Sequence, residues 1–259
     1  MGGEIRIGTS GWNYKHWKGP FYPERMPDSR LLEHYVKFFD TVELNATFYR
    51  LPAEKNVERW RDSVPPGFLF SVKGSRYITH VKRLKEAGGF VKTFVESVRP
   101  LGDKLGPILF QLHPGLNLDL GRFESFLGSL PPGFRYVFEF RNPAWHIHEV
   151  YRILSEKGMG FCIYDFGGRL SPAEVTSDMV YIRLHGPLFP YMGRYGDEFI
   201  REWAAKMVSW SKEGLDVFCY FDNDERGYAA NDALRLKKAV GGNVNNPAHY
   251  APKSSDHFS

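Results

Sequence analysis

Short apolar runs alternate along this chain with longer segments of helical periodicity. In the longer segments apolar residues recur every three or four positions, as at Phe90, Phe94 and Val98, which predicts amphipathic helices. The short runs predict β-strands. They lie at residues 4–10, 41–48, 68–74, 107–113, 135–141, 160–166, 179–186 and 216–222. Eight strands that alternate with helices predict a parallel sheet, and their number predicts an α/β fold of the TIM (β/α)8-barrel type.

The predicted barrel takes up nearly the whole chain as a single domain, residues 4–240. Residues 241–259 form a tail rich in Gly, Asn, Pro and Ser. We expect this tail to lie outside the barrel, either disordered or as a strap on its surface. A doubly wound open sheet is the alternative fold, but the phosphate-binding glycine fingerprint that often accompanies it is missing after the first strand.

Five of the predicted strands are apolar on one face and become polar on the other face toward their C-terminal ends. The polar positions are Glu43 and Asn45, Ser71 and Lys73, Gln111 and His113, Glu139 and Arg141, and Tyr181, Arg183 and His185. Strands of a parallel sheet are usually apolar on both faces, so this pattern needs a reason. In a barrel the polar set points inward and lies at the C-terminal mouth, where barrel enzymes build their active sites.

The inward positions supply the candidate catalytic residues Glu43, Glu139, Lys73 and His185. A buried Glu beside cations can act as a general acid or base, and His can shuttle a proton. Arginines bind anions through two parallel hydrogen bonds. The candidate substrate-binding residues are Trp12, Asn45, Arg76, Gln111, Arg141, Arg183 and Asn223.

Two of those residues belong to loops that follow strands. Trp12 comes just after the first strand, and an aromatic face beside cations is suited to stacking on a base or a sugar. Arg76 lies in the basic loop after the third strand. Asp165 and Asp222 end the sixth and eighth strands, where an acid serves either the site or the cap of the next helix.

Composition and charge exclude few classes of function or partner. The net charge of +4 and the pI near 8.9 allow an anionic partner without requiring one. No apolar run is long enough to span a bilayer and no signal peptide is visible, so we expect a cytoplasmic protein with no membrane partner. Cys162 and Cys219 lie in apolar runs and are expected to be small buried residues rather than a disulfide. Nothing in the sequence predicts an oligomeric state.

A series of longer motifs runs through the chain in a fixed order. They read IGTSGWNYKHWKGPFYP, VELNATFYRLP, FSVKGSRYITH, LGPILFQLHP, EFRNPAW, YIRLHG and CYFDND, followed by NDALRL. From about Ile5 to Val240 they resemble the signatures of the YecE-like proteins, also called domain of unknown function 72. The resemblance implies a TIM-type barrel and no assigned activity. Two departures, His113 in QLHP and Asp222 in place of an asparagine, argue against a shared catalytic role for those two side chains.

The function favoured by these residues is that of an enzyme, a hydrolase or lyase, acting on a small phosphorylated or otherwise anionic substrate. The substrate could be a nucleotide or a nucleic-acid fragment. A Schiff-base lyase that uses Lys73 is one variant of this hypothesis.

Three alternatives stay open. The favoured hypothesis needs no cofactor. In the first alternative, the enzyme depends on a divalent metal held by Glu43, Glu139, Asp165 and His185. In the second, the protein binds a nucleotide or nucleic acid without turnover. In the third, the polar side chains only pair with one another as an ionic core, which is costly because every ion must be desolvated.

Overall fold

The computed structural model describes residues 2–244 and confirms a single-domain barrel of eight parallel strands. The strands are β1 (Ile5–Thr9), β2 (Thr41–Leu44), β3 (Leu69–Lys73), β4 (Leu105–Gln111), β5 (Tyr136–Glu139), β6 (Gly160–Asp165), β7 (Met179–Leu184) and β8 (Asp216–Phe221). The helices are α1 (Leu31–Tyr35), α2 (Ala46–Tyr49), α3 (Glu54–Asp62), α4 (Gly88–Val98), α5 (Leu120–Gly128), α6 (His148–Glu156), α7 (Asp197–Lys212) and α8 (Tyr228–Val244).

The barrel closes between its first two strands through the residue that follows β1. The strand order is β1-β8-β7-β6-β5-β4-β3-β2, and a parallel bridge between Ser10 and Glu43 joins the two ends of this series. The amide of Gly11 donates to the carbonyl of Glu43 at 2.8 Å. A side chain at Gly8 would overlap the carbonyl oxygen of Thr41, so only glycine lets the two strands approach this closely. Closure therefore places Ser10 and Glu43 side by side.

Alternation along each strand separates two apolar regions. Outward residues such as Phe110, Phe138 and Ile182 belong to the large core between the sheet and the helices. Inward residues form a second, smaller buried cluster within the barrel: Leu109, Val137, Cys162, Met179, Tyr181, Phe218 and Tyr220. The next inward positions toward the C-terminal ends of the strands are the polar ones, so the polar layer has an apolar floor.

Local structure differs from the sequence prediction in three places. The second predicted strand, 41–48, ends at Leu44 because the chain turns into α2, where the hydroxyl of Thr47 donates to the carbonyls of Leu44 and Lys73 at 2.8 and 2.7 Å. No helix separates β6 from β7 within the described chain, since residues 166–178 cross directly between them. Helix α8 continues to Val244, so residues 241–244 of the predicted tail are helical. The remainder of that tail lies outside the described residues.

Closure of the barrel can be tested at the β1–β2 contact. Gly8→Ala should lower the free energy of unfolding by roughly 1–3 kcal/mol, because the added methyl group meets a backbone carbonyl that cannot move aside. Urea denaturation followed by circular dichroism measures this change. Gly128→Ala is the matched control: nothing lies within 4 Å of its added methyl group, and in α5 it should be neutral or stabilising. Equal effects of the two substitutions would contradict this account of closure.

Candidate active site

The guanidinium group of Arg183 lies at the centre of the polar layer. Arg183 is fully buried on β7. Its Nη2 is 2.7 Å from Glu43 Oε1 and its Nη1 is 2.8 Å from Glu139 Oε2, so a single cation joins carboxylates from β2 and β5. Its Nε lies 3.0 Å from Glu43 Oε2, which makes the pairing with Glu43 bidentate. Nearby carboxylates outweigh desolvation and hold the pKa of Arg183 well above its usual range.

Both oxygens of the Glu43 carboxylate are occupied. Oε1 accepts from the hydroxyl of Ser10 and from Arg183, and Oε2 accepts from the Tyr181 hydroxyl at 2.7 Å. The side chain is fully buried. A carboxylate with every acceptor position filled by protein donors has no lone pair left for a substrate. Glu43 therefore fits the role of fixing Arg183 better than that of a general base.

Glu139 is bound in the same way by two arginines. One oxygen accepts from Arg141 and the other from Arg183. Burial alone would raise its pKa, but the guanidinium groups of Arg141 and Arg183 outweigh burial and lower the pKa of Glu139 to about 2. At neutral pH this group is a carboxylate that holds protons poorly, so it is a weak base.

His185 and Asp222 form a hydrogen-bonded pair on β7 and β8. His185 Nδ1 lies 2.9 Å from Asp222 Oδ2, while Nε2 faces Arg141 Nη2 at 2.8 Å and Arg183 Nη1 at 3.3 Å. Because arginine only donates, Nε2 must accept and the ring proton lies on Nδ1. Burial and the charges of Arg183, Arg141 and Lys73 keep the pKa of His185 well below its usual range. The imidazole is thus neutral, with neither nitrogen free.

Asp222 is the carboxyl group of the mouth that is least paired. Its Oδ2 accepts from His185, and Arg183 Nη2 lies 3.6 Å away. Burial raises the pKa of Asp222 to about 7, against the pull of Arg183. Within the described part of the chain, Oδ1 accepts no hydrogen bond, and the side chain is 10% exposed. Asp222 can therefore hold a proton at neutral pH and present it to the mouth.

Lys73 is the cation without a partner. It ends β3, and among residues 2–244 its Nζ makes no hydrogen bond and no ion pair within 4.0 Å, lying instead 4.6 Å from the centre of the Phe48 ring. Burial and then the like charge of Arg183 lower the pKa of Lys73 to about 8. A large fraction of this amine is neutral just above physiological pH, so it can act as a base or a nucleophile.

A pocket of about 560 Å³ opens beside this cluster on the side of β4 to β6. Arg141 lines it, with its guanidinium 3.9 Å from the centre of the Phe166 ring and 4.7 Å from that of Tyr164. Exposed Arg169 also lines it and makes no ion pair with any described residue. Its other lining residues are His80, Gln111, Pro114, Pro143, His146, Leu170, Ser171 and Tyr191. Aromatic walls with two arginines suit a small anionic molecule.

The predicted site residues do not all meet. Glu43, Glu139, Lys73, Arg141, Arg183 and His185 converge at the mouth, Gln111 lines the pocket, and Asn45 donates to the Ser10 hydroxyl at 2.7 Å. Arg183 has no exposed surface, so its position favours orienting the carboxylates over the predicted contact with a substrate. Arg76 is exposed on the loop after β3.

Two predicted substrate contacts are directed elsewhere. After the turn at Gly11, whose φ is +88°, Trp12 packs edge-on against Trp60 and Phe70 on the outer side of the barrel, at 5.9 and 6.4 Å. Asn223 is buried and donates to the carbonyl of Gly193 at 2.8 Å, so it fixes the loop after β7. The expected stacking of Trp12 and the expected substrate contact of Asn223 are therefore not supported by their positions.

Several residues of the site were missed by sequence reasoning. Tyr14 places its hydroxyl 2.6 Å from the Ser10 carbonyl, and its pKa is raised by burial and then by Asp222. Arg169 lies in the β6–β7 crossover, which carries no regular pattern. For Tyr181 the alternation of the strand predicts the inward face that it shares with Arg183, but not the hydrogen bond that its hydroxyl donates to Glu43.

The mouth is a poor match to a metal centre. Residues 2–244 contain no group of three His, Cys, Asp or Glu side chains arranged to hold a metal ion. Asp165, which the metal hypothesis needs, is turned away from the mouth and accepts from the hydroxyl of Tyr195 at 2.9 Å. The carboxylates of Glu43 and Glu139 face a guanidinium instead.

Comparison with known proteins places the chain among relatives without an assigned activity. The family model described as "Protein of unknown function DUF72" matches residues 6–256. UPF0759 protein YecE of Escherichia coli K12 is 32% identical over 140 residues, which is 54% of this chain and 49% of YecE, so the match spans about half of that relative. UPF0759 protein YunF of Bacillus subtilis 168 is 24% identical, over 90% of this chain and 93% of YunF.

Solved structures agree on the fold. The crystal structure of a DUF72 family protein from Thermotoga maritima is similar with a TM-score of 0.82 and 28% identity, covering 92% of this chain and 99% of that one. A DUF72 family protein from Enterococcus faecalis is similar with a TM-score of 0.79 at 20% identity, covering 97% of this chain and 100% of that one.

None of the helices in residues 2–244 is long and apolar enough to cross a membrane.

Removing the central cation should destabilise the fold. Arg183→Met leaves the buried Glu43 carboxylate without a cation and Glu139 with Arg141 alone, and should cost about 3–5 kcal/mol of unfolding free energy, measured by chemical denaturation. Arg152→Met breaks an exposed pair with Glu156 and should change stability by less than about 0.5 kcal/mol. Adding Glu43→Gln and Glu139→Gln to Arg183→Met should recover part of the loss. If it recovers none, uncompensated charge is not the cause.

The loss of unfolding free energy at low pH should depend on the ionisation of Glu139. Its pKa of about 2 in the folded protein lies below the value of about 4.3 in an unfolded chain, so its stabilising effect is present above about pH 4.3 and lost as the pH falls toward 2. Glu139→Gln should therefore flatten the loss of unfolding free energy between about pH 5 and 2, by about 3 kcal/mol. Exposed Glu124→Gln should leave it unchanged. Parallel pH curves for the wild type and Glu139→Gln would contradict the pairing.

Proposed function

Since the chain belongs to the DUF72 family, whose function is unknown, we propose its activity from the chemistry of the barrel mouth. The protein is an enzyme of the lyase or hydrolase class that acts on a small anionic substrate. The substrate lies in the pocket beside Arg141 and reaches the mouth, where Lys73 is the reacting amine and Asp222 the proton donor.

The observation that carries this proposal is the isolation of Lys73. Glu43 and Glu139 are each paired with arginine, whereas the amine of Lys73 is bonded to no described residue and has a pKa near 8. A purely structural lysine would be expected to lie against a carboxylate, because an unpaired ammonium group loses solvation on burial. The neutral amine instead offers a lone pair that can take up a proton or attack an electrophilic carbon.

Asp222 provides the complementary acid. Its pKa near 7 leaves it partly protonated where Lys73 is partly neutral, and each of these two groups shifts the pKa of the other. Groups with pKa values near the working pH make the most effective acid and base pair. Among the described ionisable groups of the mouth, Glu43, Glu139 and His185 are bound too fully for this role.

The pocket explains why the substrate should be anionic. Arg169 makes no ion pair there with any residue in 2–244, and Arg141, which also pairs with Glu139, adds a second guanidinium close to two aromatic rings. Burial and neighbouring cations lower the pKa of His80 to about 4, so this residue lines the pocket as a neutral ring. A phosphate or carboxylate group would complement the two arginines.

The proposal is tested by screening purified protein for turnover of phosphorylated sugars, nucleotides and 2-oxo acids. We expect Lys73→Met to lower any activity found by at least about a hundredfold, since that is the usual contribution of a positioned proton-transfer group. Lys85→Met, an exposed lysine on the same loop, is the matched control and should leave activity unchanged. The pH profile of kcat/KM should be bell-shaped with a maximum between pH 7 and 8.

Two outcomes would decide against it. An activity that survives in Lys73→Met would remove Lys73 from the chemistry. Binding of inorganic phosphate that is weakened by Arg169→Met, with no turnover of any compound in the screen, would instead describe a binding protein. Asp222→Asn provides an internal check, because it should abolish the alkaline decline of the pH profile.

A further inference from the structure

We propose that Lys73 forms a covalent imine with the carbonyl carbon of a small anionic aldehyde or ketone. This inference rests on the proposed function and names both its substrate class and its chemical step. It follows from what surrounds the amine, from the proton donor that shares the mouth, and from the position of the anion-binding pocket.

The surroundings of Lys73 keep the amine available for attack. Its Nζ lies over the face of the Phe48 ring, 4.6 Å from the centre, in a cation–π contact that occupies the amine without a hydrogen bond or a carboxylate. The carboxylates that would otherwise trap the ammonium group are bound to arginines, Glu43 to Arg183 and Glu139 to both Arg141 and Arg183. A lone pair is needed for nucleophilic attack, and this arrangement preserves it.

The step balances with groups that are present. The neutral amine of Lys73 attacks the carbonyl carbon, a C–N bond forms, and the proton leaving nitrogen is taken up by the carbonyl oxygen to give a carbinolamine. The carboxyl group of Asp222 then donates a proton to that hydroxyl, the C–O bond breaks and water leaves. The nitrogen lone pair closes the C=N bond, and an iminium ion and the Asp222 carboxylate remain. Hydrolysis reverses these steps, and no oxidant or reductant is required.

The carboxylates of the mouth also act on the charged product. Burial and Arg183 disfavour a positive charge at Lys73, whereas Glu139, Glu43 and Asp222 favour it. An iminium ion at this position is stabilised by the same carboxylates. As an electron sink it allows proton removal or C–C cleavage at the neighbouring carbon, which is lyase chemistry.

An unused hydrogen-bond acceptor lies at the same level of the barrel. Leu44 pairs with Val72, so the next residues, Asn45 and Lys73, stand beside each other at the ends of β2 and β3. The Nδ2 of Asn45 donates to Ser10, while its buried Oδ1 has no partner among the described residues. An iminium N–H or a carbinolamine hydroxyl would supply the missing donor.

The pocket sets the charge of the substrate. Phe48 lies between the Lys73 amine and His80, with ring centres 5.0 Å apart, and His80 lines the pocket that Arg141 and Arg169 share. A short molecule with a carbonyl group at one end and a phosphate or carboxylate at the other can reach both. Small phosphorylated ketones have this form, and 2-oxo acids are the shorter case in which the carboxylate is bonded directly to the carbonyl carbon.

The experiment is reductive trapping. The full-length protein is incubated with sodium cyanoborohydride and, separately, dihydroxyacetone phosphate, dihydroxyacetone, pyruvate or glyoxylate, and the modified lysine is located by peptide mass spectrometry. We expect a reduced adduct on Lys73 with at least one anionic probe and much less with uncharged dihydroxyacetone. Lys73→Arg should abolish that adduct and Lys85→Met should retain it. Arg169→Met should lower trapping of the anionic probe only.

Failure of this inference can be told from failure of the proposed function. Acetic anhydride acylates neutral amines whatever the substrate, so the pH dependence of Lys73 acetylation reports its ionisation alone. With a pKa near 8, Lys73 should reach half-maximal acetylation at a pH about two units below that of a lysine with the ordinary side-chain pKa of about 10.4. An acetylation midpoint near pH 8 for Lys73, without an adduct from any probe, overturns the imine and leaves the proposed function standing. A midpoint for Lys73 no lower than that for Lys85 overturns both.

Discussion

One buried guanidinium group, that of Arg183, determines what the other polar side chains of the barrel can do. It bridges Glu43 and Glu139 across the interior at 2.7 and 2.8 Å. Desolvating three ions is expensive, and the cost is offset only because the acceptor positions of both carboxylates are filled by Arg183, Arg141, Ser10 and Tyr181. The result is a rigid frame of ion pairs at the mouth, in which the two carboxylates fix the position of Arg183 and do not react.

That frame also explains which groups stay reactive. The positive charge of Arg183 is partly responsible for the low pKa of Lys73, and it pushes the pKa of His185 down as well. Because His185 is neutral, it cannot neutralise Asp222, and burial keeps the pKa of that carboxyl near 7. The ion pairs around Lys73 and Asp222 therefore help to set their pKa values near neutral pH.

Much of this could be predicted from the alternation of side chains. An inward position is a local property of a strand, so the alternation alone assigns residues such as Glu43, Lys73 and Glu139 to the mouth. Their partners were not predictable, because the Arg183–Glu43 pair joins strands 140 positions apart in the chain. The predicted stacking of Trp12 on a substrate is not supported for a related reason. A single turn at Gly11 decides which side of the barrel the loop covers, and the alternating pattern of the strand ends there.

Charge balance at the mouth gives the strongest argument against a purely structural role. Three cations, Lys73, Arg141 and Arg183, face three acids, Glu43, Glu139 and Asp222, so complete pairing was available. Among the described residues, Lys73 and Asp222 do not pair with each other within 4.0 Å; Asp222 bonds to a neutral imidazole and lies 3.6 Å from Arg183 instead. Transfer of a proton between these two groups leaves the net charge of the mouth unchanged, so either protonation state is compatible with the frame. A site that tolerates both states is one in which a proton can be delivered to a bound molecule and later recovered.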